Sequence, residues 1–359
     1  MAKRRKVKKG ALAILIGMFV ATTALTAFLV IFVAKQIALS KVKITFINRV
    51  SEVEVHSELT PEDLIKSCSG MLTYAEIDTS KLGEFTIEFK VTNEDGSSKV
   101  FKHNIVVVDT TPPEIKLSTF VVKTDEKPNY KDIIQGPAID NYDGEIEIKY
   151  KGEVGNTPGI YEVIYYATDS SNNTKEATVY YFYQITPENM EKPFVIDDII
   201  VVTKKVPLPK NYSPNRDPKA GQMLENMKSE AKRQGHTISE VDGFRNYSEQ
   251  QKLYNQFEET KSAGYTERYV APAGHSEHQT GLAFDLDDKS SGNFENSPSY
   301  RWLIENCAEF GFILRYPKGK EKITGYDFEA WHFRYVGVIV AREIMENNLT
   351  LEEYLGLEN

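Results

Sequence analysis

The sequence predicts a multidomain chain: an N-terminal transmembrane helix, then two all-β sandwiches, then a C-terminal α+β domain with a small antiparallel sheet. Three observations lead to this prediction. The stretch Ala11–Ala34 contains no charged residue. A segment of the middle region repeats with a constant offset of 76 residues. Four of the 6 histidines lie in the C-terminal region after Pro187, near acidic and aromatic residues. A length of 359 residues also exceeds what one hydrophobic core usually organises.

The uncharged stretch Ala11–Ala34 predicts a helix that crosses a membrane. At about 1.5 Å per residue it would be about 36 Å long, and the hydrocarbon layer is about 30 Å thick. A cleaved signal peptide is the rival interpretation, but its apolar part is usually only about 7–15 residues long. Basic residues at positions 3–9 precede the stretch. By the positive-inside rule we expect a single-pass protein of the cell membrane, with a cytoplasmic N-terminus and extracytoplasmic C-terminal domains.

The charge of the chain argues against nucleic acid as a partner. The net charge is −9, although the first ten residues are strongly basic. Binding to a phosphate backbone needs an excess of cations, which the remaining sequence lacks. The two cysteines, Cys68 and Cys307, fall in different predicted domains. We therefore expect no disulfide between them and two buried thiols.

The middle region, residues 41–186, reads as short alternating apolar runs separated by turn-forming residues, a pattern typical of β-sandwiches. Residues 82–92 align without gaps on residues 158–168. A repeat of this length indicates two successive small domains. The boundary lies at the pair Pro112-Pro113, because prolines interrupt strand pairing. We predict domains over 41–109 and 110–186.

The second copy resembles the immunoglobulin-like repeats of exported bacterial surface proteins. The resemblance is carried by residues 138–144, 157–161 and 167–169, and it implies spacer or adhesive domains. Asp140, with Asn141 and Asp143 beside it, offers oxygen ligands of the kind that calcium takes. The same residues are also common turn formers, because Asn and Asp hydrogen-bond to their own backbone. The sequence leaves both interpretations open.

The last domain, residues 187–359, begins with elements that position the positively charged side chain of Arg245. The sequence predicts a helix over 219–234 and a strand over 237–241. Ser248 and the glutamine three residues later form the pattern of a capping box, so we expect the next helix to begin at Ser248. Arg245 then lies in a rigid turn between strand and helix.

Two motifs in this domain carry metal-ligating residue types. The first runs from Ser276 to Asp285 and has apolar residues on alternate positions, which turns Asp285 to the face opposite the core. The second includes His332, again within an alternating aromatic pattern. Two imidazoles, from His278 and His332, and the Asp285 carboxylate form a suitable catalytic zinc set, because three protein ligands leave a fourth position for water.

A hydrolytic zinc site also needs a general base, and Glu329 lies three residues before His332. On a regular strand, positions three apart point to opposite faces. Glu329 can therefore serve as the base only if it lies at the turn that enters the strand.

The motifs S-x-H-x-x-G-x-A-x-D and E-x-W-H-x-R-Y, in this order, resemble the zinc D-alanyl-D-alanine carboxypeptidases of the VanY type, relatives of lysostaphin and the Hedgehog signalling domain. The similarity covers about residues 195–355 and includes the segments 311–317 and 350–354. The full fold prediction is therefore a cytoplasmic basic tail and a transmembrane helix within 1–40, two all-β immunoglobulin-like sandwiches, and an α+β zinc peptidase with a small antiparallel sheet.

The resemblance also implies roles for individual residues. It implies Zn²⁺ bound by three metal ligands, Glu329 as the catalytic base, and Arg245 at the substrate carboxylate or the developing oxyanion. Gln250 and Ser276 match positions that the family uses for polar groups of the substrate. The implied metal ligands are His278, Asp285 and His332.

This chain departs from the family pattern at three positions. Ala330 replaces a proline that usually follows the glutamate, and Asp242 and Asn246 replace serines near Arg245. None of these changes removes a ligand or the base. Ala330 puts the orientation of Glu329, and with it the activity, more in question than metal binding.

The resulting functional hypothesis is a zinc-dependent D,D-carboxypeptidase that removes the terminal D-Ala from peptidoglycan stem peptides at the cell surface. Its expected partners are these peptides and, through the N-terminal helix, the membrane. Two further readings stay open. One is L,D-carboxypeptidase or endopeptidase activity on peptidoglycan. The other is a non-catalytic protein that binds the cell wall.

Overall fold

The computed structural model describes residues 9–289 and 292–357. Helix α1 extends over Lys9–Ser40. Its segment Ala13–Ser40 has a mean hydropathy of 2.4 and is not buried against the rest of the protein. By length and composition it could cross a membrane. The basic residues 3–8, on which the predicted orientation of this helix depends, lie outside the described residues.

The described part of the chain packs as two compact units. The first comprises residues 9–113 together with two later segments, 139–144 and 168–173. The second comprises the rest of the described chain. The β-rich middle of the sequence therefore contributes residues to both units.

The strands that precede Asp109 form two sheets. In the larger sheet the order is β2-β6-β5-β4, with β2 parallel to β6 and the other neighbours antiparallel. Ile87, Phe89 and Val91 on β5 point into the core, whereas the residues between them are exposed, as a half-buried strand requires. The bounds are β1 (Ile44–Phe46), β2 (Val50–Glu54), α2 (Pro61–Leu64), β3 (Ile65–Cys68), β4 (Met71–Tyr74), β5 (Gly83–Thr92) and β6 (Ser98–Val108).

A second set of strands repeats this order. Its larger sheet runs β10-β11-β12-β7, with β7 parallel to β12. The equivalent long strands β5 and β11 begin at Gly83 and Gly159, and the equivalent strands β6 and β12 begin at Ser98 and Thr174. The sequence repeat is thus also a repeat of sheet topology. The bounds are β7 (Val121–Thr124), β8 (Ala138–Asp140), β9 (Gly144–Ile146), β10 (Lys149–Lys151), β11 (Gly159–Thr168) and β12 (Thr174–Tyr183).

The C-terminal part combines helices with an antiparallel sheet of order β15-β16-β18-β17. The strand bounds are β13 (Val195–Ile196), β14 (Ile199–Ile200), β15 (Ser239–Asp242), β16 (Ala283–Asp287), β17 (Phe312–Leu314) and β18 (His332–Tyr335). The helix bounds are α3 (Pro218–Arg233), α4 (Tyr247–Thr260), α5 (Ala263–Tyr269), α6 (Pro298–Asn306), α7 (Glu321–Thr324), α8 (Val338–Glu346) and α9 (Leu351–Tyr354).

One face of this sheet lies on the hydrophobic core. Phe284 and Leu286 on β16 and Phe333 on β18 are fully buried against residues of α3 and α6. Because side chains alternate along a strand, Asp285 and His332 point to the opposite face. The predicted small antiparallel sheet is observed, and its second face is available for a polar site.

The helix after the predicted strand begins earlier than expected. Asn246, not Ser248, caps α4: its side chain accepts a hydrogen bond from the Glu249 amide, and Glu249 accepts one from the Asn246 amide. The predicted cap was wrong because two capping patterns overlap here, one starting at Asn246 and one at Ser248. Asparagine caps helices as well as serine does. Arg245 still lies between β15 and α4.

The two cysteines have different environments. Both are free thiols, as expected, and Cys307 is buried. Cys68, however, is exposed at the end of β3, so the prediction that both are buried was wrong. In other strands of this region, alternate residues are buried. This pattern does not extend over β3, which has no buried residue.

Candidate metal centre and active site

Three side chains converge on the polar face of the C-terminal sheet. His278 Nε2 and His332 Nδ1 each lie 3.3 Å from Asp285 Oδ1. Donor atoms bound at about 2.0–2.1 Å to one tetrahedral ion are separated by about 3.3–3.4 Å. Asp285 and His332 are direct cross-strand neighbours on β16 and β18, so the register of the sheet sets their spacing.

His278 comes from a 3₁₀ helix, Glu277–Thr280, that precedes β16. Its Nδ1 lies 2.5 Å from the carbonyl oxygen of Gly243. A carbonyl can only accept, so Nδ1 carries the proton and the Nε2 lone pair faces the centre. The helix ends at Gly281 in a left-handed conformation with φ of 72°, where a Cβ atom would lie 2.0 Å from a backbone oxygen. A glycine is therefore required where this loop packs against the backbone of Asn215, just before α3.

His332 is oriented by a buried carboxylate that the sequence did not single out. Its Nε2 lies 3.4 Å from Glu277 Oε2, which leaves Nδ1 for the centre. Arg315 Nε and Arg334 Nη1 each donate a hydrogen bond of 2.8 Å to Glu277 Oε1. Arg315 also donates two hydrogen bonds, of 2.9 and 2.6 Å, to Glu352. Such outer partners fix the ring orientation and basicity of a metal-binding histidine.

The charged groups around the centre stabilise a positive charge there. Burial raises the pKa of the Asp285 carboxyl, but His278 and His332 outweigh burial and hold it well below its usual range. Burial lowers the pKa of His332, yet the carboxylates of Asp285 and Glu277 raise it to about 9. The negative field thus exceeds the desolvation cost, and a positive charge is stabilised at this point.

The ligand atoms and their surroundings fit a zinc ion. Asp285 Oδ1 is buried and has no hydrogen-bonding partner among the described residues. It faces one nitrogen from each of His278 and His332 at equal distances. An orphaned carboxylate oxygen inside such a triad is costly without a bound cation. Two imidazoles and one carboxylate are ligands that zinc prefers.

Glu329 lies directly before the turn at residues 330–331 that leads into β18. Its amide donates to the Tyr316 carbonyl at 3.1 Å, which fixes the backbone, and its Oε2 lies 3.6 Å from His332 Nδ1. Burial raises the pKa of Glu329 to about 8. The geometric condition for a base at this position, an entry turn, is met.

Arg245 points into the same pocket and is held by two side chains. Its Nε donates to Gln250 Oε1 at 2.9 Å, and its Nη1 pairs with Asp242. Gln250 is almost fully buried and donates in turn to the Ala271 carbonyl at 2.6 Å. Among the described residues, Nη2 has no hydrogen-bonding partner, so this nitrogen is available to a ligand. Gln250 acts on Arg245 and does not itself present a free polar edge.

Ser276 lines the pocket but is also structural. Its hydroxyl caps the 3₁₀ helix by accepting from the His278 amide at 3.4 Å, and only 4% of the residue is exposed. The pocket has a volume of about 260 Å³. Besides the polar residues, several aromatic side chains line it: Phe257, Tyr265, Tyr269, Tyr316, Tyr326 and Trp331. A small ligand with a polar end group fits this lining.

The site combines three candidate ligands for one metal ion, a pocket beside them and a buried glutamate. This combination is typical of metal-dependent hydrolases. Residues 215–338 match the family VanY, D-alanyl-D-alanine carboxypeptidase. This match places the C-terminal part of the chain in the family that the motifs predicted. It supports the predicted enzyme class, a zinc metallopeptidase with zinc as its cofactor.

Individual relatives support the assignment. A D-alanyl-D-alanine carboxypeptidase of Enterococcus faecalis is 36% identical over 178 residues, which is 45% of this chain and 66% of that enzyme. The match thus spans slightly less than two thirds of the relative. Among solved structures, the L,D-carboxypeptidase DacB of Streptococcus pneumoniae has 33% identity, a TM-score of 0.41, and coverage of 59% of this chain and 98% of that one. A VanY D,D-pentapeptidase with Zn(II) has 35% identity, a TM-score of 0.40, and coverage of 44% and 97%.

Proposed function

We propose that the protein is a membrane-anchored zinc D,D-carboxypeptidase that removes the terminal D-Ala from peptidoglycan stem peptides outside the cytoplasm. The observation that carries the proposal is the convergence of His278, Asp285 and His332 beside Glu329, with Arg245 in the same pocket. Family membership supports the reaction, and the Enterococcus faecalis relative is named for the same activity.

Each residue has a chemical task in this proposal. Zinc, when bound, would supply Lewis-acid activation of water and of the scissile carbonyl. Glu329 would accept the proton of the attacking water and return it to the amine of the leaving D-Ala. The raised pKa of Glu329 suits this shuttle, because the proton can stay on its carboxyl group between the two steps.

Arg245 would recognise the free carboxylate that distinguishes a chain end. Nη2 is the nitrogen available for this contact, while Gln250 and Asp242 hold the guanidinium in place. A charge-assisted hydrogen bond from a fixed guanidinium is strong and directional. The small pocket beside it would hold the side chain of one terminal residue, which favours an exopeptidase over an enzyme that cuts inside a chain.

Helix α1 and the β repeats would place this activity outside the membrane. The apolar length of α1 and the basic residues before it support an anchor with a cytoplasmic N-terminus. We assign the repeats, residues 41–109 and 110–186, to immunoglobulin-like spacer domains. Their repeated strand order supports this assignment.

A product analysis tests the activity. The zinc-loaded full-length protein is incubated in detergent with pentapeptide and tetrapeptide muropeptides, with and without a chelator, and the products are weighed by mass spectrometry. We expect loss of one alanine from the pentapeptide only, abolished by the chelator and by Glu329→Gln. Cleavage of the tetrapeptide alone would replace the proposal by L,D-carboxypeptidase activity, and no cleavage of either would favour a wall-binding protein.

Topology is tested with the exposed thiol. In cells from which the wall has been removed, a membrane-impermeant maleimide should label Cys68, because this residue lies after α1 and is exposed. Cys68→Ser is the control and should remain unlabelled. Labelling that requires lysis of the cells would place the β repeats in the cytoplasm and contradict the orientation.

A further inference from the structure

Three buried aspartates form a second cluster of carboxylates, far from the catalytic residues in sequence. Asp109, Asp140 and Asp169 each offer an oxygen that lies within 4.8 Å of the other two. Their exposed fractions are 6%, 5% and 6%. All three belong to the first compact unit. Buried carboxylates are normally paired with a cation, so this cluster needs an explanation.

The three residues come from separate parts of the chain. Asp109 directly follows β6, Asp140 is the last residue of β8, and Asp169 directly follows β11. Each one is therefore fixed by the end of a strand. A ligand held among them would connect three chain segments that hydrogen bonds from Asn173 to the Asp109 carbonyl and from Ser170 to Asp143 already bring together.

Two of the carboxylates have an unused oxygen inside the cluster. Asp109 Oδ2 and Asp140 Oδ2 are buried and have no hydrogen-bonding partner among the described residues. The lack of a partner is an observation separate from the clustering of acidic residues, because a buried oxygen without a hydrogen bond costs free energy wherever it occurs. It indicates that a ligand which interacts with oxygen belongs at this position.

The other oxygens already have partners that fix each carboxylate. Asp109 Oδ1 accepts from the Thr111 amide at 3.2 Å, and Asp140 Oδ1 accepts from two backbone amides at 2.8 Å each. Asp169 accepts from the amide and the side chain of Asn173, at 2.7 and 2.8 Å. The free oxygens of Asp109 and Asp140 are thus held in defined directions.

Protein cations do not compensate these charges. Within residues 9–289 and 292–357, none of the ion pairs involves Asp109, Asp140 or Asp169. Burial raises the pKa of the Asp109 carboxyl, and the neighbouring Asp140 and Asp169 carboxylates raise it further. The cluster is therefore self-repelling in the absence of a cation.

We propose that Asp109, Asp140 and Asp169 bind one calcium ion that stabilises the first compact unit. Calcium takes oxygen ligands at about 2.3–2.6 Å, so two ligands of one ion lie at most about 5 Å apart, as these oxygens do. The set contains no histidine or cysteine, which zinc would favour. Backbone carbonyls or water complete the six to eight ligands that calcium requires.

The structure selects a different ligand set from the one that the sequence motif at 140–143 suggested. Asp140 is shared by both sets. Asp143 instead accepts from the hydroxyl and the amide of Ser170, at 2.9 and 2.5 Å, and so ties the 140–143 turn to the segment after β11. This contact places Asp169 next to Asp140.

Calcium binding to the full-length protein tests the proposal. The protein is kept in detergent and saturated with zinc, so that the catalytic centre does not contribute, and radioactive calcium is measured by equilibrium dialysis. We expect one calcium ion per chain at about 1 mM free calcium, the concentration at which extracellular calcium modules bind. Asp140→Asn should weaken binding at least about tenfold. Asp95→Asn, which alters an exposed turn of the same unit, should bind as the wild type does.

Thermal unfolding separates a lost ligand from a damaged fold. In calcium-free buffer, Asp140→Asn should unfold at or above the wild-type temperature, because one of three repelling charges is removed. On addition of calcium, only the wild type and Asp95→Asn should be stabilised, and magnesium should stabilise them less. Equal binding by Asp140→Asn and the wild type, no calcium bound by the wild type, or equal effects of both metals would overturn the proposal. None of these readouts depends on peptidase activity.

Discussion

Glu277 Oε2 lies 3.4 Å from His332 Nε2, on the side of the imidazole ring opposite Asp285. This relationship connects the metal centre to a fully buried charge network, because Glu277 also accepts hydrogen bonds from Arg315 and Arg334. Burial raises the pKa of Glu277, but the two guanidinium groups outweigh burial and lower it far below its usual value. The carboxylate therefore stays ionised and keeps Nδ1 of His332 directed to the centre.

Glu277→Gln should weaken both zinc binding and folding. Loss of the carboxylate removes the partner of His332, which typically reduces metal affinity by about 10–100-fold. It also leaves buried guanidinium charge undercompensated, which costs about 3–5 kcal/mol in the free energy of unfolding. Competition with a chromogenic zinc chelator and urea unfolding measure the two effects. The control is Glu309→Gln, whose pair with Arg342 is exposed to solvent and should contribute little to stability. Equal losses in the two variants would show that the network has no special role.

His332→Ala and Glu329→Ala should separate metal binding from turnover. His332→Ala removes one of three ligands and should abolish zinc uptake, as measured by the metal content of the purified protein. Glu329→Ala should retain zinc and lose about 10²–10⁴-fold in kcat, because in the proposed mechanism Glu329 moves a proton and is not one of the metal ligands. Equal loss of zinc in both variants would contradict this division of roles.

Arg245→Met should remove the preference for a free chain end. The comparison is kcat/KM for a pentapeptide acid and for the corresponding amide. The wild type should prefer the acid by about 10–100-fold, because a hydrogen bond between charged groups is worth about 1.5–3 kcal/mol. Arg245→Met should process both poorly and nearly equally. Gln250→Leu should shift the ratio in the same direction but less, mainly through KM, since Gln250 only positions Arg245. An unchanged ratio in Arg245→Met would exclude this residue from carboxylate recognition.

The two thiols should differ in their reactivity toward a thiol reagent. Burial raises the pKa of Cys307 to about 12. Because the thiolate is the reactive form, Cys307 should stay unmodified by a thiol reagent in the folded protein between about pH 7 and pH 10. Cys68 is exposed and should react throughout this range. The expected stoichiometry is one thiol per folded chain, none for Cys68→Ser and two after denaturation. A second fast-reacting thiol in the native protein would contradict the burial of Cys307.

Local features of the chain were predictable because they depend on neighbours in sequence. The alternation around Asp285 predicted a strand that turns this carboxylate away from the core, and Phe284 and Leu286 are indeed buried. The length and composition of Ala11–Ala34 predicted an apolar helix, which extends over Lys9–Ser40. The constant offset between the β segments predicted a repeat, which recurs in the strand order.

Other features depend on residues that are distant in sequence. Nothing near Glu277 indicates that its charge is buried, since its partners Arg315 and Arg334 arrive from β-segments much later in the chain. The calcium motif around Asp140 was incomplete for the same reason, because Asp109 and Asp169 follow the ends of other strands, β6 and β11. The exposure of Cys68 likewise follows from which strands cover β3.

The sequence by itself determined the kinds of chemistry in this protein: the ligand types, the alternation of the strands, the apolar helix and the repeat. Only the tertiary structure decided which carboxylates are ionised, paired or left with a free oxygen. The physical reason is that side-chain type and periodicity are local properties, whereas desolvation and Coulomb interactions depend on every group that the fold brings within a few ångströms.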